Sequence, residues 1–166
     1  TTVGANPPST SCSVAVPSSV TPWGVGGTEF RIGGGSSQLT LNPATANSDQ
    51  FAGAGNKMIL GVAHTVMGYG TVLFGANGNN SYDGGTIITS SALLLGSQEG
   101  TQVTLSDTAK LGRGNVIINP TGQFQINSAG NLQAGQTISV GSNLNDFGVL
   151  RLAADLSLDQ VNFRAT

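Results

Sequence analysis

Few side chains in this sequence could do acid–base or nucleophilic chemistry. His64 is the one histidine, and the nearest acids to it in sequence are Asp49 and Asp83. Because catalysis by a histidine usually requires an orienting acid, we interpret His64 as a structural residue. Cys12 is the one cysteine, and no neighbouring base in sequence would favour its thiolate. We therefore predict neither a catalytic triad nor a reactive thiol.

The best-spaced pair of acids is Asp155 and Asp159, in the run "LAADLSLDQ". On a strand these two carboxylates would share a face but stand roughly 13 Å apart. Glycosidic cleavage requires carboxyl groups about 5 to 9.5 Å apart, so we interpret the pair as a solvated edge. Trp23, Tyr69 and Tyr82 fit either a sugar-binding surface or core packing. No catalytic residue is predicted, and a carbohydrate-active β-helix enzyme stays open as an alternative.

The composition also gives no support for a cofactor, a metal or a nucleic-acid partner. Asp83 precedes Gly84 and Gly85, whereas the calcium-binding β-roll repeat places its aspartate after the glycines. Six Lys and Arg residues and a net charge of −2 leave no basic stripe for phosphates. No apolar run reaches the length of about 18 residues that crosses a membrane as a helix. We predict no cofactor, no metal site, no nucleic-acid binding and no membrane insertion by this segment.

The elements that would position these side chains are short strands. From Glu29 onward, apolar runs such as "EFRI", "KMILGV", "GTVLFGA" and "NVIIN" alternate with Gly, Asn, Ser and Asp. No window keeps a helical period without an interrupting glycine, so we predict an all-β fold. Residues 1–28 are rich in proline, serine and threonine, and they predict an irregular linker or cap before a domain at 29–166.

The apolar runs recur at a nearly constant distance, which indicates a repeating unit. Residues chosen from successive runs are 20 to 23 positions apart: Val72, Leu93, Val116, Ile138 and Leu158. Leu39 and Leu60 fit the same spacing. A period of about 20 residues is typical of a solenoid, so we predict stacked β coils, roughly six in number and about 30 Å long in total. The five residues should form one buried column, while Ile117 should point outward.

The stretch "NNSYDGGTIITSSALLLG" fits one unit of such a solenoid. Gly84 and Gly85 permit a sharp corner, and Thr86 to Thr89 form an extended side. After a second turn at Ser90 and Ser91, Leu93 and Leu95 should enter the core. Four asparagines are predicted to occupy turns and to form hydrogen bonds from coil to coil: Asn115, Asn119, Asn127 and Asn131.

Two segments resemble the passenger-associated transport repeat of bacterial autotransporters. The first is Asn80-Ser81-Tyr82-Asp83-Gly84-Gly85-Thr86, followed by Ile88, Leu93, Leu95 and Gly96 at matching positions. The second is Leu111-Gly112-Arg113-Gly114-Asn115-Val116-Ile117-Ile118-Asn119. The match extends from Gly70 to about Ser128. The resemblance implies a right-handed parallel β-helix in the passenger domain of an exported protein, and it implies no catalytic residues.

We therefore expect a non-catalytic structural segment of an extracellular or cell-surface bacterial protein, such as a stalk or an adhesin associated with the outer membrane. Its expected partners are the remainder of its own polypeptide or neighbouring copies, which would contact it through the open ends of the β-helix. A host or cell-surface ligand is not identified. A self-assembling subunit of an extracellular filament or layer is the second alternative.

Overall fold

The computed structural model describes most of the chain, with gaps. The described residues are 2–4, 11–16, 20–22, 27–33, 38–43, 45, 48–61, 71–76, 78–89, 102–106, 108–119, 122–143, 146–152 and 162–165. Their regular structure is almost entirely β, as predicted, and one short 3₁₀ turn at Ala129–Asn131 accounts for the helical residues among them.

Thirteen of the strands form two parallel sheets. Sheet A contains β1 (Thr2–Gly4), β3 (Glu29–Gly33), β5 (Lys57–Leu60), β7 (Thr86–Ile88), β9 (Val116–Ile118), β11 (Thr137–Val140) and β15 (Asn162–Ala165), in that order. Sheet B contains β2 (Ser11–Val16), β4 (Gln38–Pro43), β6 (Thr71–Phe74), β8 (Gln102–Leu105), β10 (Gln123–Ile126) and β14 (Val149–Leu152). A separate antiparallel pair joins β12 (Ser142–Asn143) to β13 (Asp146–Phe147).

The chain passes back and forth between the two sheets. Up to β11, odd-numbered strands enter sheet A and even-numbered strands enter sheet B, so each strand from β1 to β9 pairs with the one two places later. Every pairing within these sheets is parallel. Each return to the same sheet therefore requires a crossover through the other sheet.

Residues 1–28 contribute strands to both sheets, although the sequence predicts an irregular segment there. β1 pairs with β3, and β2 pairs with β4 over six residues. The four prolines of this region, Pro7, Pro8, Pro17 and Pro22, all lie outside β2, so no residue of β2 lacks the backbone N–H that a ladder requires. The residue types around Ser11–Val16 indicated irregular structure, so the sequence did not predict the strand there.

The two sheets share one hydrophobic core. One register column of sheet B contains Cys12, Leu39, Val72, Val103, Phe124 and Leu150. Its members from Leu39 to Phe124 are buried, and they belong to the same cluster as Met58, Val116 and Ile138 of sheet A. In β4, β5, β6, β7 and β9, alternate side chains are thus removed from water in one core. This burial of apolar surface is the main contribution to the stability of both sheets.

The predicted single column of five residues is wrong as a whole. Val116 and Ile138 are direct partners in sheet A, but Val72 lies in sheet B. Leu39 and Leu60 lie in different sheets, and Leu93 and Leu158 are outside the described residues. Apolar runs alternate between two sheets, so equal spacing along the chain does not select strands of one sheet.

The number of residues between paired positions of neighbouring strands is also not constant at the predicted 20 to 23. Gln102 and Gln123 are partners 21 positions apart, whereas Leu39 and Val72 are partners 33 positions apart. The loops between strands vary in length, and each strand still stacks in register because its inward side chains must enter the core.

The outward face of sheet A follows the prediction. Val116 and Ile118 are buried, whereas Ile117 between them is 42% exposed. Ile117 is in register with Ile87 of β7 and Ser139 of β11. The alternation predicted for this strand is therefore confirmed.

Four connecting segments that lead from sheet B to sheet A also stack on one another: residues 48–56, 78–85, 108–115 and 127–136. The N–H of Asn79 donates to the carbonyl of Ser48 at 3.0 Å, and the N–H of Lys110 donates to the carbonyl of Gly78 at 2.9 Å. The N–H of Arg113 donates to the carbonyl of Tyr82 at 2.8 Å. We call each of these segments, with the strands that it joins, a layer. Backbone hydrogen bonds between successive layers thus continue beyond the two sheets.

The paired glycine forms the predicted corner before β7. Gly85 has φ of +96°, in the left-handed region that favours glycine. A Cβ on Gly84 would lie 2.5 Å from the carbonyl oxygen of Gly55 in the layer beside it. The corner therefore needs glycine at both positions, one for its backbone angle and the other for close packing.

Candidate functional site

The residues selected for possible chemistry do not assemble into a site in the part of the chain that the structure describes. His64, Asp155 and Asp159 lie outside that part, and of Cys12 only its backbone place in β2 is described. Asp83 is exposed, and its Oδ1 accepts a hydrogen bond from the N–H of Gly55 at 2.6 Å. This carboxylate links two connecting segments.

Asp49 has the same kind of role one layer away. Its Oδ1 accepts a hydrogen bond from the N–H of Ser81 at 2.9 Å, and its Oδ2 accepts one from the Ser81 hydroxyl. Ser81 lies in the layer next to that of Asp49. Both exposed acids thus bind backbone groups of a neighbouring layer, an arrangement that stabilises stacking.

No group of three or more His, Cys, Asp or Glu side chains close enough to hold a metal occurs among the described residues. The predictions of no cofactor and no metal site remain predictions for the complete chain.

Tyr82 is a core residue, so the sugar-surface interpretation is wrong for it. The side chain is fully buried, and its ring meets that of Phe30 edge to face with centroids 6.2 Å apart. The phenolic oxygen lies 2.6 Å from Thr86 Oγ1 and 3.7 Å from the sulfur of Met58. Trp23 and Tyr69, the other two candidates, lie outside the described residues.

Gly112 provides the space that Tyr82 occupies. A Cβ at this position would stand 2.1 Å from the carbonyl oxygen of Tyr82 and 2.5 Å from its ring carbon Cδ2. Since real Cβ atoms do not approach other atoms so closely, the two layers could not keep their separation with a larger residue. Tyr82 and Gly112 belong to the two segments that resemble the transport repeat.

We expect stability to fall at alkaline pH because of Tyr82. Burial raises the pKa of its phenol to about 12, from an ordinary value of 10.0. The unfolded chain loses this proton near pH 10 while the folded chain retains it. The contribution of the protonated phenol to the free energy of unfolding is therefore fully present below pH 10. It is lost between about pH 10 and 12, by about 3 kcal/mol in total.

Urea unfolding between pH 9 and pH 12 measures this effect, and Tyr82→Phe is the matched control. The variant keeps the buried ring but has no phenolic proton, so its alkaline loss of stability should be smaller by about 3 kcal/mol. An identical alkaline loss in the two proteins would contradict the assignment.

Buried amide side chains fasten the layer at residues 127–136 to the layer before it. Asn131 Nδ2 donates to the carbonyls of Ser106 and Ala109, each at 2.7 Å. Gln136 Nε2 donates to the carbonyls of Gly112 and Gly114, each at 2.8 Å. These amides satisfy carbonyls that the irregular backbone of the connecting segments leaves without ladder partners.

A third amide makes the same type of link between other layers. Asn80 is buried, accepts a hydrogen bond from the N–H of Phe51 at 3.3 Å, and donates to the carbonyl of Lys110 at 2.9 Å. Phe51 and Lys110 lie in the layers on either side of it. Asn80 therefore connects three successive layers through one side chain.

The sequence prediction for asparagine is confirmed at three of its four positions. Asn115 Oδ1 accepts from the N–H of Thr137, Asn127 Nδ2 donates to the carbonyl of Leu105, and Asn131 acts as described above. For Asn119 the interlayer bond comes from its backbone N–H, which donates to the carbonyl of Ile88. The side-chain partners are backbone groups and not other asparagines. The roles of Asn80 and Gln136 were missed, since nothing in sequence spacing separates them from surface amides.

Replacement of Asn131 by alanine is expected to destabilise the fold by about 2 kcal/mol. Besides its two donated bonds, Asn131 Oδ1 accepts from the N–H groups of Asn127 and Ser128, so the change leaves partly buried backbone groups unpaired. Asn79→Ala is the control, because Asn79 is exposed. Its change should stay within about 0.5 kcal/mol, and urea titration measures both. Equal effects of the two changes would contradict the proposed role.

A cluster of charged side chains lies on the outward face of sheet A. Glu29 forms ion pairs with Lys57 at 2.7 Å and with Arg31 at 2.5 Å. Hydrogen bonds from Lys57 and then Arg31 lower the pKa of the Glu29 carboxyl. The Glu29–Lys57 pair joins β3 to β5, so it adds one more link between neighbouring strands.

No known family, curated protein or solved structure matches this chain. Among the described residues, no helix is long and apolar enough to span a membrane.

Proposed function

We propose that this chain is a non-catalytic structural segment of an exported bacterial surface protein, wound as a right-handed parallel β-helix. The observation that carries the proposal is the use of its polar side chains. Asp49, Asp83, Asn80 and Asn131 each bind backbone groups of a neighbouring layer. These polar side chains therefore stabilise the stacking of layers, and a stalk or an adhesin body requires such a stable stack.

The topology supports the β-helix. Successive strands of each sheet are joined through a strand of the other sheet, and the connecting segments stack in the same order. Crossovers between parallel strands are right-handed in nearly all proteins, which favours a right-handed coil. Six of the seven strands of sheet A lie in residues 29–166, which agrees with the six predicted coils.

The contacts of the repeat-like residues support the resemblance to autotransporter passengers. Tyr82 packs against Gly112, and Gly85 forms the corner before β7. A Cβ on Gly114 would stand 2.4 Å from the backbone nitrogen of Gly85. The most specific residues of both segments thus meet across one layer boundary, as expected for units of one repeat.

Display on a bacterial surface tests the proposed role. The chain would be placed between a secretory signal and the translocation unit of an autotransporter, and its exposure measured by protease treatment of whole cells. We expect a surface-exposed, protease-resistant domain, while a Val116→Asp control should be degraded. Retention of the folded wild-type chain inside the cell would contradict the proposal.

Turnover assays test the enzymatic alternative. The purified chain would be incubated with a panel of polysaccharides, and new reducing ends measured. We expect no turnover. Any activity that disappears in Asp83→Asn, His64→Ala, Asp155→Asn or Asp159→Asn variants that remain folded would overturn the non-catalytic assignment.

A further inference from the structure

Asp83 is the one aspartate of the sequence that is followed by a glycine, Gly84. An aspartate before glycine is prone to isomerise, because glycine has no side chain that hinders attack of its nitrogen on the aspartate carboxyl. Both residues are exposed in the structure, so water reaches the bond between them. The dipeptide therefore has the residue types and the access to water that this reaction requires.

The reaction is an internal condensation followed by hydrolysis. The nitrogen of Gly84 forms a bond to Cγ of Asp83, and a carboxyl oxygen leaves as water with the amide proton and the carboxyl proton. Water then hydrolyses the cyclic imide. Attack of water at Cγ restores aspartate, whereas attack at the main-chain carbonyl carbon gives isoaspartate, in which the main chain runs through Cβ and Cγ. The product is an isomer of the original chain, so no oxidant or reductant is needed.

The folded stack binds both reacting groups to a neighbouring layer. The N–H of Gly84 donates to the carbonyl of Asn56 at 2.8 Å. The Oδ1 of Asp83 accepts from the N–H of Gly55 at 2.6 Å. Attack requires the Gly84 nitrogen to lose its proton and the carboxyl carbon of Asp83 to come over the plane of the peptide group. Each of these steps breaks a hydrogen bond to the layer at residues 48–56, so the folded chain opposes the reaction.

We propose that Asp83–Gly84 is a site of isoaspartate formation, which the folded stack suppresses and which local unfolding of residues 78–85 makes reactive. The rate of modification then follows the fraction of chains in which this segment is locally unfolded, as for other reactions that are confined to open states. The proposal goes beyond the structural function proposed above and does not depend on it.

Isoaspartate at this site would prevent the corner before β7 from forming again. The modified main chain is longer by a carbon atom, and the space around Gly84 is small: an added Cβ would lie 2.5 Å from the carbonyl oxygen of Gly55. The next residue, Gly85, has φ of +96°, and its carbonyl accepts from the N–H of Met58 at 2.9 Å. A longer chain cannot keep the hydrogen bonds of both Gly84 and Gly85, so the modified layer does not regain its native contacts.

Incubation in water enriched in ¹⁸O measures the reaction, because hydrolysis of the imide adds a heavy oxygen. The full chain would be kept at neutral pH, either folded in buffer or unfolded in urea, and the peptide that contains Asp83 analysed by mass spectrometry. We expect isomerisation to be slower in the folded chain by about tenfold or more, since the layer is rarely unfolded. Asp49, which Gln50 follows, is the internal control and should isomerise more slowly than Asp83 in urea.

Two neighbouring substitutions test whether interlayer contacts provide the protection. Asn80→Ala removes a side chain that binds the layers on both sides, whereas Asn79→Ala changes an exposed residue. In buffer we expect isomerisation at Asp83 to be about tenfold faster in Asn80→Ala than in Asn79→Ala. If circular dichroism shows that Asn80→Ala is unfolded, wild type in urea below its unfolding transition replaces it, and the rate should then rise with urea concentration.

Three results would overturn the proposal. They are equal rates in the folded and the unfolded chain, absence of isomerisation at Asp83 in urea, and equal rates in folded Asn80→Ala and Asn79→Ala. None of them would contradict the proposed structural role, which the surface-display experiment tests separately.

Refolding of the isomerised chain tests the consequence for the corner. The isoaspartate form would be separated by chromatography, refolded by dialysis and titrated with urea beside unmodified chain treated in the same way. We expect the modified chain to unfold at a lower urea concentration or to remain unfolded. Recovery of the stability of the unmodified chain would contradict the inference that isoaspartate blocks the corner.

Discussion

Val116→Asp is expected to unfold the domain. Val116 is fully buried in β9, between Thr86 of β7 and Ile138 of β11. The change places a carboxylate in the core with no cationic partner among the described neighbours, at a cost of about 5 kcal/mol. Domains of this size have a total stability of only about 5–15 kcal/mol. Circular dichroism and urea titration at pH 7 measure the loss.

Ile117→Thr is the control for that change, one residue along the same strand. Ile117 points outward and threonine is also β-branched, so we expect a change of about 1 kcal/mol or less. Comparable damage from both changes would mean that β9 is buried on both faces. A Val116→Asp variant as stable as the wild type would contradict the assignment of Val116 to the shared core.

Gly112→Ala is expected to lower the free energy of unfolding by about 3 kcal/mol, although it adds a single carbon. The new Cβ would lie 2.1 Å from the carbonyl oxygen of Tyr82, a backbone atom that cannot rotate away. Relief requires either separation of two layers or displacement of the buried Tyr82 ring, and overpacking of this kind is costly. Thermal and urea unfolding measure the effect.

Gly78→Ala is its control. Gly78 is also buried in a connecting segment, but the nearest atoms to an added Cβ lie at 3.8 Å, an ordinary contact distance. We expect a change within about 0.5 kcal/mol. Should Gly112→Ala prove as mild as Gly78→Ala, the close packing of Tyr82 against the next layer would be refuted.

The strand faces could be predicted from sequence because they depend on local alternation. Val116 and Ile118 alternate with Ile117, and the buried and exposed positions follow directly from a period of two. The corner at Gly85 was predictable for a similar reason, since few other residues adopt its backbone angle.

The assignment of strands to sheets could not be predicted in the same way. Val72 and Val116 look alike in sequence but belong to different sheets, because the chain alternates between two faces of one core. The interlayer bonds of Asn80 and Gln136 depend on the lengths of the connecting segments. Those lengths determine which carbonyls remain without ladder partners. The pattern of apolar residues does not predict these carbonyls.

Disulfide cross-linking of the outward face of sheet A tests the parallel stacking on which every proposal rests. In a Cys12→Ser background, cysteines would replace Ile87 and Ile117, or Ile117 and Ser139, which are direct register partners. A third variant would join positions 87 and 139, two strands and roughly 10 Å apart, beyond the reach of a disulfide. We predict rapid intramolecular cross-linking of the first two pairs and none of the third. Cross-linking of positions 87 and 139 in preference to the adjacent pairs, or of no pair at all, would contradict the stacked parallel register.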